Sequence, residues 1–511
     1  MCCNNLSIVV AVQSEPFNFN DLLRMILHNN LPLIMIVAFL LLTLVIGIYY
    51  SRKVNTFREY AIGNKQFATA TLVATTLATI YGGAGLLRTV EQVYVQGLFW
   101  ILIISFYPIY YWLLAPLMLR IGLFMQHLSV AESIGSIYGK GPRLVAALAS
   151  TIACISIIAM QIIAITRAIE MCINLDNSGN AKMMQITLTV TATCILIFYS
   201  MLGGIRSVTF TDVLQFLIFT TVIPCTTWFI LKATNQPMIV GASSLYQEPK
   251  FHLDSCLTTN KLLALVSLFL ARLTCVYMPT NIQRIYMASN PIQARNLLRH
   301  TGTFMLIINV CIVLIGLSLF VKAPTLSKLQ IWPYIFESMP TIFKGFMAIS
   351  LLAMAMSTAD SYLNVCSVIV SHDIIGSVQT NKVLADKYKL VLARLTALTM
   401  GICAMLLAFH KKDLIELMMF SMHFYAPTVI APFLLALYGF RGSFYTALIG
   451  MLTGLSAMLV WNHWVAPMTG IDGTFLCMLA NGLATLMAHY LLPQPTGTGW
   501  FPTDKFDTQK Q

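Results

Sequence analysis

Charge is scarce in this chain of 511 residues. Only 10% of the residues are Asp, Glu, Lys or Arg, where soluble domains average about 25%, and 58% are hydrophobic. Polar stretches are short as well, at most about 35 residues, so no separate soluble domain fits between the apolar segments. The composition excludes an ordinary soluble protein and indicates a chain that lies mostly within a membrane.

Motifs of enzyme chemistry are missing too. The sequence contains no HExxH, GxSxG or P-loop pattern, and His372 and Asp373 form an isolated pair at the end of an apolar run. The twelve cysteines are scattered, mostly within apolar runs and without a CxxC pair, as is typical of small packing residues. We therefore expect neither an enzyme nor an organic cofactor.

Apolar runs dominate the sequence instead, each near the roughly 20 residues that a membrane-spanning helix needs. About thirteen such runs fill the chain from end to end. They lie at residues 32–50, 66–87, 98–119, 144–169, 185–202, 208–231, 262–283, 300–321, 342–371, 391–410, 414–439, 443–465 and 474–492. The pattern predicts an all-α polytopic membrane protein whose surface contacts the lipid bilayer.

Basic residues are distributed unevenly between the loops, and the net charge is +12. With residue 1 outside the cell, four basic loops share the inner side: 52–65, 120–143, 284–299 and 382–389. Basic loops usually remain in the cytoplasm, so we expect an external N-terminus, a cytoplasmic C-terminus and a place in the cell membrane, without a nucleic-acid partner. Four lysines fall on the opposite side: Lys322, Lys328, Lys411 and Lys412.

Glycines and hydroxyl groups interrupt the run from Leu72 to Leu87. Gly82, Gly83 and Gly85 weaken a helix there, and five hydroxyl side chains accompany them. These are Thr71, Thr75, Thr76, Thr79 and Tyr81. The pattern is typical of a broken helix that lines a transport site, although small residues also let helices pack closely.

Carboxylates within two other runs are costly. Asp212 lies in "GGIRSVTFTDVLQ" (residues 203–215), and Asp360 shares one helical face with Ser357, Ser361 and Asn364. An uncompensated Asp at mid-bilayer costs about 3 kcal/mol, so each needs a cation, a proton, water or an arginine. Three of these four partners indicate an ion pathway, and the alternative is a structural pair with a neighbouring helix.

An arginine is equally costly inside the run 262–283. Arg272 lies about eleven residues into it, too deep for its side chain to reach the interface easily. One interpretation pairs Arg272 with an acidic side chain such as Asp360. The other assigns its guanidinium to a substrate carboxylate, which would favour an amino acid or organic acid.

Three motifs in consistent order resemble the sodium:solute symporter family, which includes bacterial proline and pantothenate permeases and sodium–glucose transporters. "GGIRSVTFTDVLQ" is similar to the family signature, "MSTADSYLNVCSVIVSHDI" (356–374) to its sodium-site helix, and "IQRIYMASNPIQAR" (282–295) to its central cytoplasmic segment. The similarity covers roughly residues 35–440. It implies a leucine-transporter-type core of two inverted five-helix repeats.

The resemblance divides the chain into seven parts. Residues 1–31 are expected to be an external lead-in, 32–50 an extra span, 66–232 the first repeat, 233–261 an external loop, 262–439 the second repeat, 443–492 two additional spans and 493–511 a cytoplasmic tail.

The resemblance also implies site residues. Sodium would bind the backbone carbonyls of Ala74, Leu77 and Met354 and the hydroxyls of Ser357 and Thr358. Asp212 and Asp360 would lie on the ion pathway. The candidate substrate contacts are Thr76, Tyr81, Arg272 and Cys275. The proline permease has substrate-binding aromatic residues at the positions that Ala271 and Cys275 occupy here, which argues against proline.

The sequence therefore predicts a transporter that couples inward sodium movement to uptake of a small organic solute. Two alternatives remain open: a proton-coupled symporter of the same fold, and a transporter-like solute sensor. The solute and the oligomeric state are undetermined.

Overall fold

A computed structural model describes residues 31–52, 54–172, 179–233, 245–254, 258–378, 386–410 and 414–501. Twenty α-helices account for most of these residues. They are α1 (Leu31–Ser51), α2 (Phe57–Ile62), α3 (Thr69–Ile80), α4 (Gly83–Gln96), α5 (Leu98–Leu114), α6 (Val130–Tyr138), α7 (Lys140–Glu170), α8 (Gly179–Ala233), α9 (Thr259–Leu273), α10 (Pro279–Tyr286), α11 (Pro291–Lys322), α12 (Ile331–Glu337), α13 (Thr341–Val368), α14 (Ile375–Val378), α15 (Asp386–His410), α16 (Leu414–Tyr425), α17 (Ala431–Leu437), α18 (Phe444–Val460), α19 (Ala466–Thr469) and α20 (Thr474–Leu491). Two short strands, Phe440–Arg441 and Gly499–Trp500, pair antiparallel. The fold is all-α, as expected.

Ten helical segments within the described residues are long and apolar enough to cross a membrane, and two bent helix pairs raise the number to twelve. The segment Met183–Lys232 is 50 residues long. At 1.5 Å per residue it is more than twice as long as a bilayer is thick, so it divides into two spans and the total reaches about thirteen. The expected count is therefore approximately right.

The long helix α8 divides at Gly204, whose φ of +52° lies in the left-handed region. A β-carbon there would lie 2.6 Å from the carbonyl oxygen of Tyr60, so a side chain is excluded by both conformation and space. The glycine pair that opens "GGIRSVTFTDVLQ" is thus the turn between two spans. Asp212 follows it by two helical turns and is fully buried.

The break between α3 and α4 bends the chain by 62°. At Gly83 a β-carbon would lie 2.7 Å from the carbonyl oxygen of Leu351 on α13, so the break packs directly against that helix. A second bend of 44° separates α9 from α10. This second bend lies at Met278 and Pro279, where the helix is interrupted because proline has no backbone N–H to donate a helical hydrogen bond.

Helix α13 lies at the centre of the molecule and packs against α7, α8 and α1. Every residue from Met347 to Val368 is buried, so this part of the helix has no lipid-facing stripe. This explains why its polar residues are tolerated: all of them face protein. Helices α3 to α8 and α9 to α17 fall close to the expected repeats 66–232 and 262–439, whose boundaries stay predictions.

Several expected segments lie outside the described residues in whole or part. These are the lead-in 1–31 apart from its last residue, residues 234–244 and 255–257 of the loop 233–261, the last ten residues of the tail 493–511, and Lys53, Lys382, Lys411 and Lys412.

Candidate functional site

The hydroxyl groups of Ser357 and Thr358 connect α13 to the end of α3. Ser357 Oγ donates to the carbonyl oxygen of Ala78 at 2.6 Å, and Thr358 Oγ1 donates to that of Thr79 at 3.0 Å. Both hydroxyls also lie within 3.2 Å of the Met354 carbonyl oxygen. Because α3 ends at Ile80, these α3 carbonyls belong to its last turn and have no partner within an α-helix.

This cluster fits a sodium ion. A hydroxyl has one proton to donate and two lone pairs, so Ser357 and Thr358 keep lone pairs for a cation while donating to the carbonyls. The other expected ligands occupy the same region: Ala74 and Leu77 are buried on α3, and Met354 is fully buried on α13. The Leu77 carbonyl also accepts from the Tyr81 amide at 2.9 Å, which closes the last turn of α3. The role of all five residues stays a prediction.

Asp212 pairs with an arginine that sequence reasoning placed elsewhere. Arg284 Nη2 lies 2.9 Å from Asp212 Oδ2, and both side chains have 0% exposure. The same Nη2 donates to Ser361 at 2.5 Å and to Thr79 at 3.2 Å, and Thr75 donates to Asp212. The expectation that Arg284 belongs to a loop was wrong, because it lies buried within α10. An arginine is therefore one partner of Asp212, through Oδ2, while Oδ1 has no partner among the described residues, and the place of Asp212 on an ion pathway stays a prediction.

Asp360 has a different partner. Its Oδ2 accepts from the Tyr199 hydroxyl at 2.7 Å, and its side chain is fully buried. Arg272 does not pair with Asp360: its guanidinium lies over the ring of Tyr107, 5.9 Å from its centroid, and the acidic side chain that acts on it electrostatically is Asp472. Of the expected polar face, Ser361 contacts Arg284 and Asn364 accepts from Gln283 at 2.9 Å. The polar face of α13 therefore forms hydrogen bonds with both α8 and α10.

A cavity of about 130 Å³ adjoins the break between α3 and α4, and we call it the inner cavity. The polar and aromatic residues that line this cavity include Tyr81, Arg88, Trp100, Tyr107, Arg272 and Asn309. The Tyr81 hydroxyl donates to Asn309 Oδ1 at 2.6 Å. The structure thus brings two of the four predicted substrate contacts, Tyr81 and Arg272, to one cavity.

The other two predicted substrate contacts are not among the residues that line the inner cavity, although the Cys275 side chain contacts Arg272. Thr76 is outside the inner-cavity lining, and its hydroxyl donates to the Leu72 carbonyl of its own helix at 2.6 Å. Cys275 is also outside the lining, and its carbonyl accepts from the Asn281 side chain at 2.8 Å. Helical periodicity could not reveal this, because α9 ends at Leu273 and a tight turn follows.

Residues 60–454 match the model of the sodium:solute symporter family, which is more than three quarters of the chain. The chain belongs to this family. Its core helices, from α3 to α17, lie within the matched range, as does every predicted site residue.

Relatives and solved structures agree with this assignment. The "High-affinity proline transporter PutP" of Bacillus subtilis (strain 168) is 25% identical over 314 residues, 59% of this chain and 63% of that protein. The match therefore spans less than two thirds of the relative's own length. A substrate-bound, outward-open structure of a Na+-coupled sialic acid symporter superimposes with a TM-score of 0.77 at 17% identity, covering 91% of this chain and 98% of that one. The structure of MhsT in complex with L-phenylalanine gives a TM-score of 0.52 at 12% identity and covers 83% and 98%. These likenesses confirm the leucine-transporter-type fold.

Sequence reasoning missed a polar cluster at the opposite end of this symporter-family core. The Nη2 atom of Arg143, on α7, lies 2.7 Å from Asp373 Oδ1, and the Ser129 hydroxyl donates to Asp373 Oδ2 at 2.6 Å. His372 Nε2 lies 3.3 Å from Glu132 Oε1 on α6. His372 and Asp373, which follow α13, therefore connect this end of the helix to α6 and α7. We call Ser129, Glu132, Arg143, His372 and Asp373 the latch.

Glu132 shows the electrostatics of the latch. Burial raises the pKa of this carboxyl, but the His372 side chain and the Leu128 amide lower it more, to about 2. A carboxyl whose pKa falls on folding stabilises the fold above its ordinary pKa of 4.5, and that contribution is lost as the pH drops toward 2. Glu132 is therefore ionised at neutral pH.

Replacing Arg143 with methionine should weaken the latch. The Asp373 side chain is fully buried and would lose its cation while keeping only the Ser129 hydroxyl, a loss of about 1–3 kcal/mol in the free energy of unfolding. The melting temperature of the purified protein in detergent measures this loss. The exposed Arg299, replaced in the same way, is the control. Equal melting temperatures for both variants would show that the latch does not stabilise the fold.

Proposed function

We propose that this protein is a sodium-coupled symporter that takes up a small carboxylate-bearing solute. The observation that carries the proposal is the oxygen cluster where the broken helix α3 meets α13, at Ser357 and Thr358. Sodium is a hard cation that binds oxygen ligands, and broken helices supply carbonyls for it. The family membership and the relative named as a proline transporter support the same function.

Sodium binding and solute binding would be coupled because both sites adjoin the break between α3 and α4. The sodium ligands lie on α3 before the break, and the inner cavity is lined by Ile80 and Tyr81 at the break. A sodium ion that holds α3 against α13 would therefore fix the position of Tyr81 and shape the solute site. This gives sodium a differential affinity for the solute-binding state, which is the thermodynamic requirement for coupling.

Arg284 and Asp212 would guide the ion after release. Their cluster includes Thr75 and Thr79 of α3, one of which also supplies the carbonyl that Thr358 contacts. We infer that sodium leaving the site passes Asp212, whose charge is balanced by Arg284 and so does not trap the ion. The solute carboxylate would contact Arg272, whose guanidinium can form two parallel hydrogen bonds with it.

Proton coupling is the second candidate, and Asp360 favours it. This buried carboxyl accepts one described hydrogen bond, from Tyr199 to Oδ2, and its Oδ1 has no partner among the described residues. A carboxyl in that environment is a natural proton carrier. Serine and threonine hydroxyls cannot serve this role near neutral pH, so the Ser357 and Thr358 cluster favours sodium.

The test is uptake by proteoliposomes that contain the purified protein. Labelled amino acids and organic acids are screened with an inward sodium gradient, an inward proton gradient and neither. We expect accumulation that requires sodium. Accumulation driven by protons alone would replace sodium with protons, and sodium-dependent binding without accumulation would indicate a solute sensor.

The topology can be tested separately. We infer that the protein lies in the cell membrane with the loop 52–65 and residues Lys387 and Lys389 in the cytoplasm, since basic loops are retained there. In a cysteine-free variant, a cysteine at the exposed Asn64 or Tyr388 should react with an impermeant maleimide only after the cells are opened. A cysteine at Leu329, in the loop before α12, should react in intact cells. The reverse pattern would invert the orientation.

A further inference from the structure

A second cavity adjoins the inner cavity. Its volume is about 330 Å³, and we call it the vestibule. Three of the described residues line both cavities: Arg88 of α4, Arg272 of α9 and Met418 of α16. Arg272, which we propose as the partner of the solute carboxylate, can therefore be reached from the vestibule.

Part of the vestibule wall comes from the helices that follow the core. The loop 470–473, between α19 and α20, lines the cavity, and so do Asn462 and Ala466 just before it. These residues lie beyond α17, the last of the core helices. A segment outside the core thus borders the route to Arg272.

The loop 470–473 is held in one conformation. The Trp461 indole N–H donates to the carbonyl oxygen of Ile471 at 2.9 Å, and a β-carbon at Gly473 would collide with the Trp461 ring. Asp472 Oδ1 accepts from the Thr474 amide at 2.8 Å, at the start of α20. The carboxylate of Asp472 is therefore fixed at the vestibule wall.

The same loop is attached to the helix that carries Arg272. The hydroxyl of Ser267, five residues before Arg272 on α9, donates to the carbonyl oxygen of Asp472 at 2.6 Å. Asp472 acts electrostatically on Arg272, yet neither residue forms an ion pair within the described part of the chain. Both side chains border the vestibule, so a solute placed between them would meet a positive and a negative charge.

The charges around the vestibule are balanced rather than positive. Glu91, three residues after Arg88 on α4, acts on Arg88 electrostatically, as Asp472 does on Arg272. Asp472 is the one acidic residue among the described residues that line the vestibule. A solute of net negative charge at Arg272 would be repelled by Asp472, whereas a cationic group on the same solute would be attracted to it.

We propose that Asp472 is a specificity-determining residue of the solute site, which favours carboxylates that carry a neighbouring cationic group over carboxylates of net negative charge. Arg272 binds the solute carboxylate, and Asp472 faces the cationic group. The inference rests on the proposed function, in which Arg272 contacts the solute, and it gives the loop between α19 and α20 a role in solute selection.

Matched pairs of probes test the charge preference on the unmodified protein. Each pair is an amino acid and the same carboxylate without its amino group: L-proline and cyclopentanecarboxylate, L-leucine and 4-methylpentanoate, L-phenylalanine and 3-phenylpropanoate. Titration calorimetry of the full chain in lipid nanodiscs with sodium should give at least one pair in which the zwitterion binds at least about tenfold more tightly. A smaller preference in every pair, or binding of no probe, would overturn the proposal.

Asp472→Asn separates the charge from the structure. Asparagine keeps a side-chain oxygen for the Thr474 amide but carries no charge, so the preference for the zwitterion should fall at least about fivefold. Asp472→Glu, which keeps the charge, should retain the preference. Asp254→Asn is the matched control, because Asp254 is exposed and outside the lining of both cavities.

An unchanged preference in Asp472→Asn would exclude Asp472 from solute selection. Should this variant not fold, Asp472→Ser makes the same test, since a serine hydroxyl can also accept from the Thr474 amide. Loss of folding in both variants would show that the carboxylate serves the fold instead.

Sodium replacement separates this inference from the proposed function. The titration of the unmodified protein is repeated with choline in place of sodium. If the preference for the zwitterion persists at full affinity without sodium, the role of Asp472 stands and sodium coupling is wrong. If affinity requires sodium but the anions bind as tightly as the zwitterions, coupling stands and the role of Asp472 is wrong.

Discussion

Sodium-stimulated uptake should disappear when Ser357 and Thr358 are both replaced by alanine. The change removes two hydroxyl ligands and their hydrogen bonds to Ala78 and Thr79, so α13 loses two of its hydrogen bonds to the last turn of α3. We expect the apparent sodium affinity to fall at least about tenfold for each ligand, which is about 1.4 kcal/mol per tenfold. Uptake at graded sodium concentrations measures this affinity.

A matched pair provides the control for this experiment. Ser150 and Thr151 are also adjacent and buried, on α7, and their hydroxyls donate only to carbonyls of their own helix at 2.7 and 2.8 Å. The double alanine variant of this pair should keep the sodium dependence of the parent. If the Ser357 and Thr358 variant inserts normally and responds to sodium as before, the assigned sodium site is wrong.

Replacing Arg284 with methionine should be the most damaging single substitution proposed for this protein. It leaves the carboxylate of Asp212 buried without its cation, and breaking a fully buried ion pair costs about 3–5 kcal/mol. Ser361 and Thr79 would also lose a donor. We expect low yield, a lower melting temperature and no uptake. The exposed Arg58, replaced by methionine, is the control for loss of an arginine.

A double variant separates the ion pair from the arginine alone. Asp212→Asn combined with Arg284→Met removes both charges, so the melting temperature should recover most of the loss even if uptake does not. A double variant that is as unstable as Arg284→Met would show that the cost comes from lost packing. A double variant that is stable but inactive would place the pair on the transport route.

The apolar runs were sufficient to find the helices, and the free-energy cost of charged groups in the bilayer was sufficient to identify Asp212, Asp360 and Arg272 as residues that need a partner. The apolar runs correspond to the helical segments because a bilayer demands about 20 apolar residues whatever the neighbours are. The turn at Gly203 and Gly204 followed from glycine itself, and the interruption at Gly82 and Gly83 likewise, since local conformation decides both. Three ordered motifs, on α8, on α13 and in the segment 282–295, then indicated the family.

The partners of the buried charges could not be predicted in the same way. Arg284 is 72 residues from Asp212 in the chain, within a segment, "NIQRIY", whose polar composition is typical of a loop. The bend at Pro279 turns this segment into the core, where Arg284 has 0% exposure.

The sequence by itself determined the membrane-spanning class, the helix breaks and the need of Asp212, Asp360 and Arg272 for partners, because these depend on composition and on the cost of polar groups in lipid. Only the tertiary structure decided which groups meet: Arg284 with Asp212, Tyr199 with Asp360, and Arg88 beside Arg272 at the inner cavity. Burial makes a charge expensive wherever it lies along the chain, but which residue compensates it depends on helix packing between distant segments, which no local pattern records.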